Sequence, residues 1–548
     1  MSSESLIHDL SQQAAAPEDG QKPRADDSDP LLWRMIALGV VAFAVLFGVA
    51  FRWSHLAAQS IWFDEGFTAF AASLSPWNVV RYAQSTDAPP LYFLLEHYWV
   101  GIFGNSEAGL RSFSALVGTL SIPVFYALAK KVLKDGMAVA LAMWLFAFSI
   151  MQVWFSREAR TYELASFVAL VGLYALILFL EKQTWPLFGA IVLSIAFSLY
   201  LHNMLFFYLL GLNVLWITYP SDRPWIRRLW EVVSADALAV IAYLPWVPSL
   251  WHQVATQVVH KGFWASRPTA EVFFRTLSVL AGFSLDYLFA LGTRLMPLAP
   301  RAIWSGVLFG VALLCSAMIA GGFLRAPAAW KRKNIALLSY GLIPVLAIFA
   351  FSRISTPLFT ERIFTNTSMI LPIVFAFPLA VRRGGSGRIL YGILAVLLAG
   401  TTALSLIGYL RYQQKEDWRS ATASVLAIPN GNKLVVFVAR SGEILFDYYT
   451  NHFHGAGPRV AKMGLPIGYS ESFPPPRVEA PIESLADITK LQVAVDSGRY
   501  SEIDLVLSHE IYDDPHESVL DYLGHSFSRQ EDEQFYGVRV IRFFASSN

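Results

Sequence analysis

Apolar runs of about twenty residues recur along this chain, and they constrain its fold more than any motif does. A bilayer's hydrocarbon core asks for ~20 predominantly apolar residues from each crossing helix. Such runs fall at roughly 31–51, 108–129, 136–155, 162–181, 186–201, 204–219, 232–250, 302–324, 335–352, 363–381 and 388–410, about eleven in all. The 548 residues are 55% hydrophobic and only 15% charged, which places the chain outside the range of soluble domains. The expected fold class is an all-α polytopic membrane domain over 31–413. A polar, disordered cytoplasmic tail precedes it at 1–30 and a small soluble α/β domain follows at 414–548.

Orientation follows from the basic loops, because Lys and Arg collect on the cytoplasmic side. Lys130, Lys131 and Lys134, then Lys182, then Arg223, Arg227 and Arg228, then Arg325, Lys331, Arg332 and Lys333, then Arg382, Arg383 and Arg388 fall on alternate loops. The expected placement is the inner (cytoplasmic) membrane, with the N-terminus cytoplasmic and the C-terminal domain extracytoplasmic. The run 90–104 is short and carries Glu96 and His97, so it reads as a helix lying in the outer interface. The stretch 270–300 is either interfacial or a short hairpin of spans.

This topology leaves 52–107, 156–161, 202–203, 251–301 and 353–362 on the outer face. Those loops carry Asp64, Glu65, Asp87, Arg157, Glu158, Arg160, His202, Lys261, Glu361 and Arg362. Charges beside hydrocarbon usually face a cavity or one another, so one polar chamber at the outer leaflet is expected. Ile61-Trp62-Phe63-Asp64-Glu65-Gly66-Phe67 and Asp87-Ala88-Pro89-Pro90-Leu91-Tyr92 are its centre. Asp64 and Glu65 are adjacent and cannot share a face, so two roles are expected of them. The bland alternative has Asp64 marking the membrane boundary and Asp87 capping the helix that Pro89-Pro90 starts. Ser156-Arg157-Glu158-Ala159-Arg160-Thr161-Tyr162 is expected to put Arg157 and Arg160 on one helical face and to pair Glu158 with Tyr162. Two guanidiniums beside an acid there suit either a phosphate or salt bridges that fix the site. A solvated turn, an interfacial His202 and a snorkelling Arg362 are the plainer readings.

In this order, Asp-Glu, then Asp-x-Pro-Pro-Leu-Tyr, then Arg-Glu-Ala-Arg-x-Tyr resembles the GT-C superfamily of integral-membrane glycosyltransferases. The likeness extends to bacterial relatives of the protein O-mannosyltransferases and of the lipid A aminoarabinose transferase. Pro357-Leu358-Phe359-Thr360-Glu361-Arg362 and Lys415-Glu416-Asp417-Trp418-Arg419 add to it, over about residues 31–420. The resemblance implies a polyprenyl-phosphate-linked sugar donor, a glycan, lipid or protein acceptor, and inverting displacement at the anomeric carbon. It assigns the proton-accepting role to Asp64, in a desolvated setting expected to raise its pKa. Glu65 would orient the acceptor or neighbouring cations. Asp87, Glu158, Tyr162 and His202 would bind acceptor or cations, and Arg157, Arg160, Lys261 and Arg362 would cradle the donor phosphate. Ile363 stands where many relatives carry Tyr, and Asp87 where some have His, Lys or Glu. A divalent metal is therefore left open, and no nucleotide cofactor is expected.

Competing classes are a lipid-linked sugar transporter or flippase, and a non-catalytic glycan-lipid binding protein. A transporter would favour midplane charges and repeated halves. The charges here sit at span ends, and the sequence shows no internal repeat. The net charge of +1 says nothing about nucleic acid, and no basic run interleaved with aromatics suggests it, so no nucleic-acid partner is expected. Cys315 is the single cysteine and lies in an apolar run. In the C-terminal domain, strands are expected at Leu434–Val438, Ile503–Leu507 and Phe535–Phe544, with a helical stretch near Ser518–Leu523 and an irregular loop at 466–482. His509-Glu510 and Asp513-Asp514 with His516 suggest a metal site, but exposed polar loops usually look this way, and the plainer reading is taken.

Overall fold

The computed structural model describes residues 31–86, 88–260, 266–295, 301–324, 326–381, 386–412, 414–427, 432–454, 460–465, 482 and 485–544. Every expected span is helical. Among the described residues seven helices are long and apolar enough to cross a bilayer, or up to nine if each of two bent pairs counts as one span. The expected count of about eleven also included Trp185–Leu201 and Asn203–Thr218, which are apolar but of only 10–17 residues. At 1.5 Å per residue neither reaches across a ~30 Å core upright. One bent pair, Gly136–Ala147 with Ile150–Ser156, turns by 48°; the other, Ala270–Leu280 with Leu285–Gly292, turns by 85° in the region of uncertain expectation. Leu91–Phe103 has 13 residues, too few to span, as expected of the 90–104 run.

Local chemistry sets the helix ends. Ser106 caps Glu107–Leu133 by accepting the Gly109 N–H at 3.1 Å, and Asp135 accepts the Ala138 N–H at 2.9 Å one helix later. Packing inside the bundle relies on small residues and aromatic stacks. A Cβ on Gly172 would lie 2.1 Å from Ser194 Oγ, so that helix pair approaches as closely as glycine permits. Phe125 and Phe146 stack at 4.1 Å in the same core.

The two ends of the bundle differ in charge. At one end Lys131 meets Glu181 at 2.5 Å, and Lys333 lies within electrostatic reach of Lys131, Lys134 and Glu181. Arg228, at that end, donates to the Tyr219 carbonyl at 2.7 Å. The opposite end carries the acidic loops described below.

After the last long helix the chain builds a five-stranded sheet in the order β2-β1-β3-β5-β4. Its strands are β1 (Lys433–Val438), β2 (Ala461–Gly464), β3 (Glu502–Leu507), β4 (Ser528–Phe535) and β5 (Val538–Phe544). β1 pairs parallel with β2 and β3, while β5 runs antiparallel to β3 and β4. The two inner strands and the helix Ser518–Ser526 lie where the sequence puts them. The expected strand Phe535–Phe544 is present as β5, starting at Val538, and it is the second arm of a hairpin whose first arm the sequence did not show. Gly537, at φ +71°, turns the chain, and the polar run Ser528–Phe535 pairs as the edge strand. Its charges are satisfied from β5: Arg542 donates to Glu533 at 3.1 Å and Arg539 to Asp532 at 2.8 Å. An edge strand of that composition has no apolar alternation to reveal it. The expected tail 1–30 and most of the loop 466–482 lie outside the described residues.

Candidate functional site

Asp64 and Glu65 open the helix Phe63–Ser73, where a carboxylate is favoured by the helix's positive end. Their adjacency sends them opposite ways. Glu65 is fully buried and becomes the centre of a charge cluster. Arg111 grips both its oxygens, Nε at 2.8 Å and Nη2 at 2.6 Å, while Lys415 Nζ lies 2.7 Å from Oε1. The Ala159 N–H adds a fourth bond at 3.0 Å. Arg111 also donates to the carbonyls of Leu56, Gln59 and Ser60 at 2.6–2.7 Å, so it pins the loop that leads to the helix. Burial works to raise the Glu65 pKa, but the charges of Arg111 and Lys415 outweigh it and hold the carboxylate ionised.

Asp64 points to the more open side, its side chain 17% exposed. Arg362, from the turn Glu361–Phe364, pairs with Asp64 Oδ2, and Arg160 donates to the Asp64 carbonyl at 3.3 Å. The guanidinium of Arg362 also lies 5.9 Å from the Trp62 ring and hydrogen-bonds the Tyr162 hydroxyl. The expected rise in the Asp64 pKa is overturned. Burial does push it up, but Arg160 and Arg362 together pull it below the ordinary value of 3.8.

The stretch 157–161 departs from its expected helical face. It forms turns between Ile150–Ser156 and Tyr162–Lys182. The reason is the Ala159 N–H, which serves Glu65 instead of a helical carbonyl. The two guanidiniums therefore separate. Arg160 goes to Asp64, whereas Arg157 lies over the Tyr409 ring at 5.9 Å with Nε buried and unpartnered. Glu158 does not pair with Tyr162; it accepts from Trp154 Nε1 at 2.7 Å. Burial pushes the Glu158 pKa up, Lys415 opposes, and Glu65 and Asp64 add to the rise. His202 ends Trp185–Leu201, and its Nδ1 accepts the Met204 N–H at 3.1 Å. Burial together with Arg160 and Arg362 lowers its pKa to about 4, so the ring is neutral with its proton on Nε2. Tyr162 stands 5.8 Å from that ring. Asp87 and Lys261 lie outside the described residues.

Several residues of this cluster carry no role in the sequence reading. Arg111 looks like part of a span, and its one signal is a lone charge near the start of an apolar run. Lys415 belongs to a matched motif without an assigned function. Glu416 accepts the Phe63 N–H at 3.2 Å and Trp418 Nε1 at 2.7 Å, and meets His509 Nε2 at 2.5 Å. His509 is exposed as expected, yet it joins the site from the end of β3 through Glu416. Among the described residues no group of three or more His, Cys, Asp or Glu side chains converges as a metal site.

Residues 87–249 match the family model described as dolichyl-phosphate-mannose-protein mannosyltransferase. The structure resembles ArnT from Cupriavidus metallidurans bound to undecaprenyl phosphate, with a TM-score of 0.50 at 14% identity, covering 94% of this chain and 99% of that one. The apo state of the same ArnT gives 0.46 at 16% identity, covering 93% and 99%. The Archaeoglobus fulgidus oligosaccharyltransferase tethered to an acceptor peptide gives 0.45 at 13%, covering 88% and 70%. A comparison with curated protein sequences gives no match. The chain shares the fold of that ArnT along nearly its whole length.

Proposed function

We propose that this protein is a glycosyltransferase that moves a sugar from a polyprenyl-phosphate donor to an acceptor hydroxyl at the outer face of the membrane. The observation that carries the proposal is Asp64: a half-open, ionised carboxylate flanked by Arg362 and Arg160 at one end of a GT-C bundle. In the reaction the acceptor oxygen attacks the anomeric carbon while the bond from that carbon to the phosphate oxygen breaks. The electron pair leaves with the lipid phosphate, and the acceptor's proton passes to Asp64. Inversion follows from attack opposite the leaving group. Arg362 and Arg160 offer the departing phosphate charge-assisted hydrogen bonds. Glu65, bound on every side, is read as the anchor of the loop and not as an acceptor contact. ArnT, whose fold is shared, is seen with undecaprenyl phosphate, which supports a lipid-phosphate donor here. The transporter reading loses support, because the charges named above gather at one end of the bundle and not at its middle.

Incubation of the purified protein with radiolabelled polyprenyl-phosphate sugars tests the proposal, with transfer or hydrolysis expected. A protein that folds and binds these lipids but releases no sugar would return it to the binding-protein class. Arg362→Ala is expected to weaken donor affinity ~10- to 100-fold, the weight of a charge-assisted contact worth ~1.5–3 kcal/mol. Donor-lipid titration with unchanged affinity and turnover in both Arg362→Ala and Arg160→Ala would leave these residues as structural anchors.

Sidedness has its own check. Asn105 and Lys182, both exposed, belong to loops expected on opposite faces. Single cysteines at these positions, in a Cys315→Ser background, should react with an impermeant maleimide from opposite sides of sealed vesicles. Labelling of both from one side contradicts the topology.

A further inference from the structure

The helix that carries Asp64 begins without a side-chain cap of its own, since Trp62 at its N-cap offers none. The first N–H groups of a helix need outside acceptors. Here the acceptor comes from 353 residues away, as Glu416 Oε2 takes the Phe63 N–H at 3.2 Å. The other oxygen of Glu416 holds His509 Nε2 at 2.5 Å, and the His509 ring packs on Phe63 with centroids 4.7 Å apart. Tyr449, in the helix Gly442–His454, accepts the Ile61 N–H at 2.6 Å. A Cβ on Gly66 would come 2.8 Å from Leu445 of the same helix. The sheet domain therefore grips the start of the Asp64 helix at several points.

Strand order singles out His509 independently. β1 lies between β2 and β3, so the chain reverses direction across the sheet at β1/β3. The carboxyl ends of strands at such a reversal are where open α/β sheets present functional groups. His509 follows β3 at that edge, in the left-handed region at φ +58°, a conformation a non-glycine side chain adopts at a cost. Its side chain is 37% exposed, within reach of solvent protons.

We propose that His509, clamped on Glu416, is a positioning residue for Asp64, which makes the C-terminal sheet part of the catalytic unit and turnover dependent on the protonation of this histidine. The inference rests on the glycosyltransfer proposed above. The charged groups facing His509 are Glu416, from the segment after the last long helix, Asp64, from the helix Phe63–Ser73, and Asp513, from the short helix Glu510–Asp513 that follows it. The hydrogen bond to Glu416 raises the His509 pKa above 6.5, burial opposes, and the charges of Glu416, Asp513 and Asp64 add to the rise. A raised histidine is protonated below its pKa and loses the clamp's charge as pH climbs through it, so the clamp weakens on the alkaline side to a neutral N–H bond.

The test is turnover against pH for wild type, His509→Gln and His509→Ala. Glutamine keeps an N–H for Glu416 but does not titrate. Wild type should lose turnover as pH rises past the raised histidine pKa, and His509→Gln should lack that limb. His509→Ala should lose about tenfold in kcat below it while its donor KM holds, as expected for one removed charge-assisted bond. Three superimposable profiles would overturn the proposal. A second readout needs no activity: the imidazole NMR titration of His509 should move to lower pH in Glu416→Gln and, by less, in Asp64→Asn. A titration that neither substitution moves also overturns it. If wild type transfers no sugar from any polyprenyl-phosphate donor, the proposed activity fails, while the NMR coupling still decides the clamp.

Discussion

Asp64→Asn is expected to insert and fold like wild type and to turn over ~10²–10⁴-fold more slowly, the usual weight of a positioned base. Asparagine keeps the size of the side chain and an oxygen for Arg362, so the pair is weakened without leaving a hole. What it cannot do is accept the acceptor's proton. The depressed pKa of Asp64 adds a second expectation. With Arg160 and Arg362 in place, the carboxylate stays ionised down to acid pH, so no acid limb from Asp64 should appear near neutrality. In the proposed reaction the donor phosphate would engage the same guanidiniums, and drawing Arg362 away would leave Asp64 a stronger base at the moment it is needed. The measurement is transfer rate per folded protein, taken with thermal stability. Full activity in Asp64→Asn would falsify the catalytic assignment and move attention to Glu158, whose pKa is displaced upward.

Glu65→Gln should fail differently. It removes the only carboxylate bonded by both Arg111 and Lys415 among the described residues, in a place with no solvent to screen what remains. Breaking a buried ion pair from one side costs ~3–5 kcal/mol, because the orphaned charges are left behind. Folded yield and thermal stability are expected to fall, with activity falling in step. Arg111→Met should do the same and also release the carbonyls of Leu56, Gln59 and Ser60. A Glu65→Gln protein of wild-type stability and impaired acceptor use would restore the acceptor role that the resemblance suggested. Neighbouring carboxylates with opposite phenotypes, one catalytic and one structural, are the sharpest outcome this site predicts.

The contrast between these two residues shows how far the sequence could be read. That Asp64 and Glu65 must divide their labour follows from adjacency alone. Which one is buried does not, since the partner that buries Glu65 is Arg111, hidden inside what looks like a membrane span. The turn 157–161 misleads for a related reason. Its residues are spaced as a helix would want, yet a backbone N–H at Ala159 is spent on Glu65. His509 is the extreme case: its own stretch marks it only as part of an exposed polar loop, and the docking of the sheet on the bundle brings it to Phe63.

The sequence by itself determined the helical bundle, its non-spanning helix Leu91–Phe103, the segregation of basic loops from the acidic end, and the inner strands of the sheet. Each of these follows from burial of local apolar pattern and needs no knowledge of a distant partner. The tertiary structure alone decided the ionisation of Asp64, the burial of Glu65 and the capping of their helix by Glu416. Those outcomes are set by charges brought together across 298, 350 and 353 residues. Electrostatic energy depends on separation in space and on exclusion of water, and neither is written in the spacing of residues along a chain.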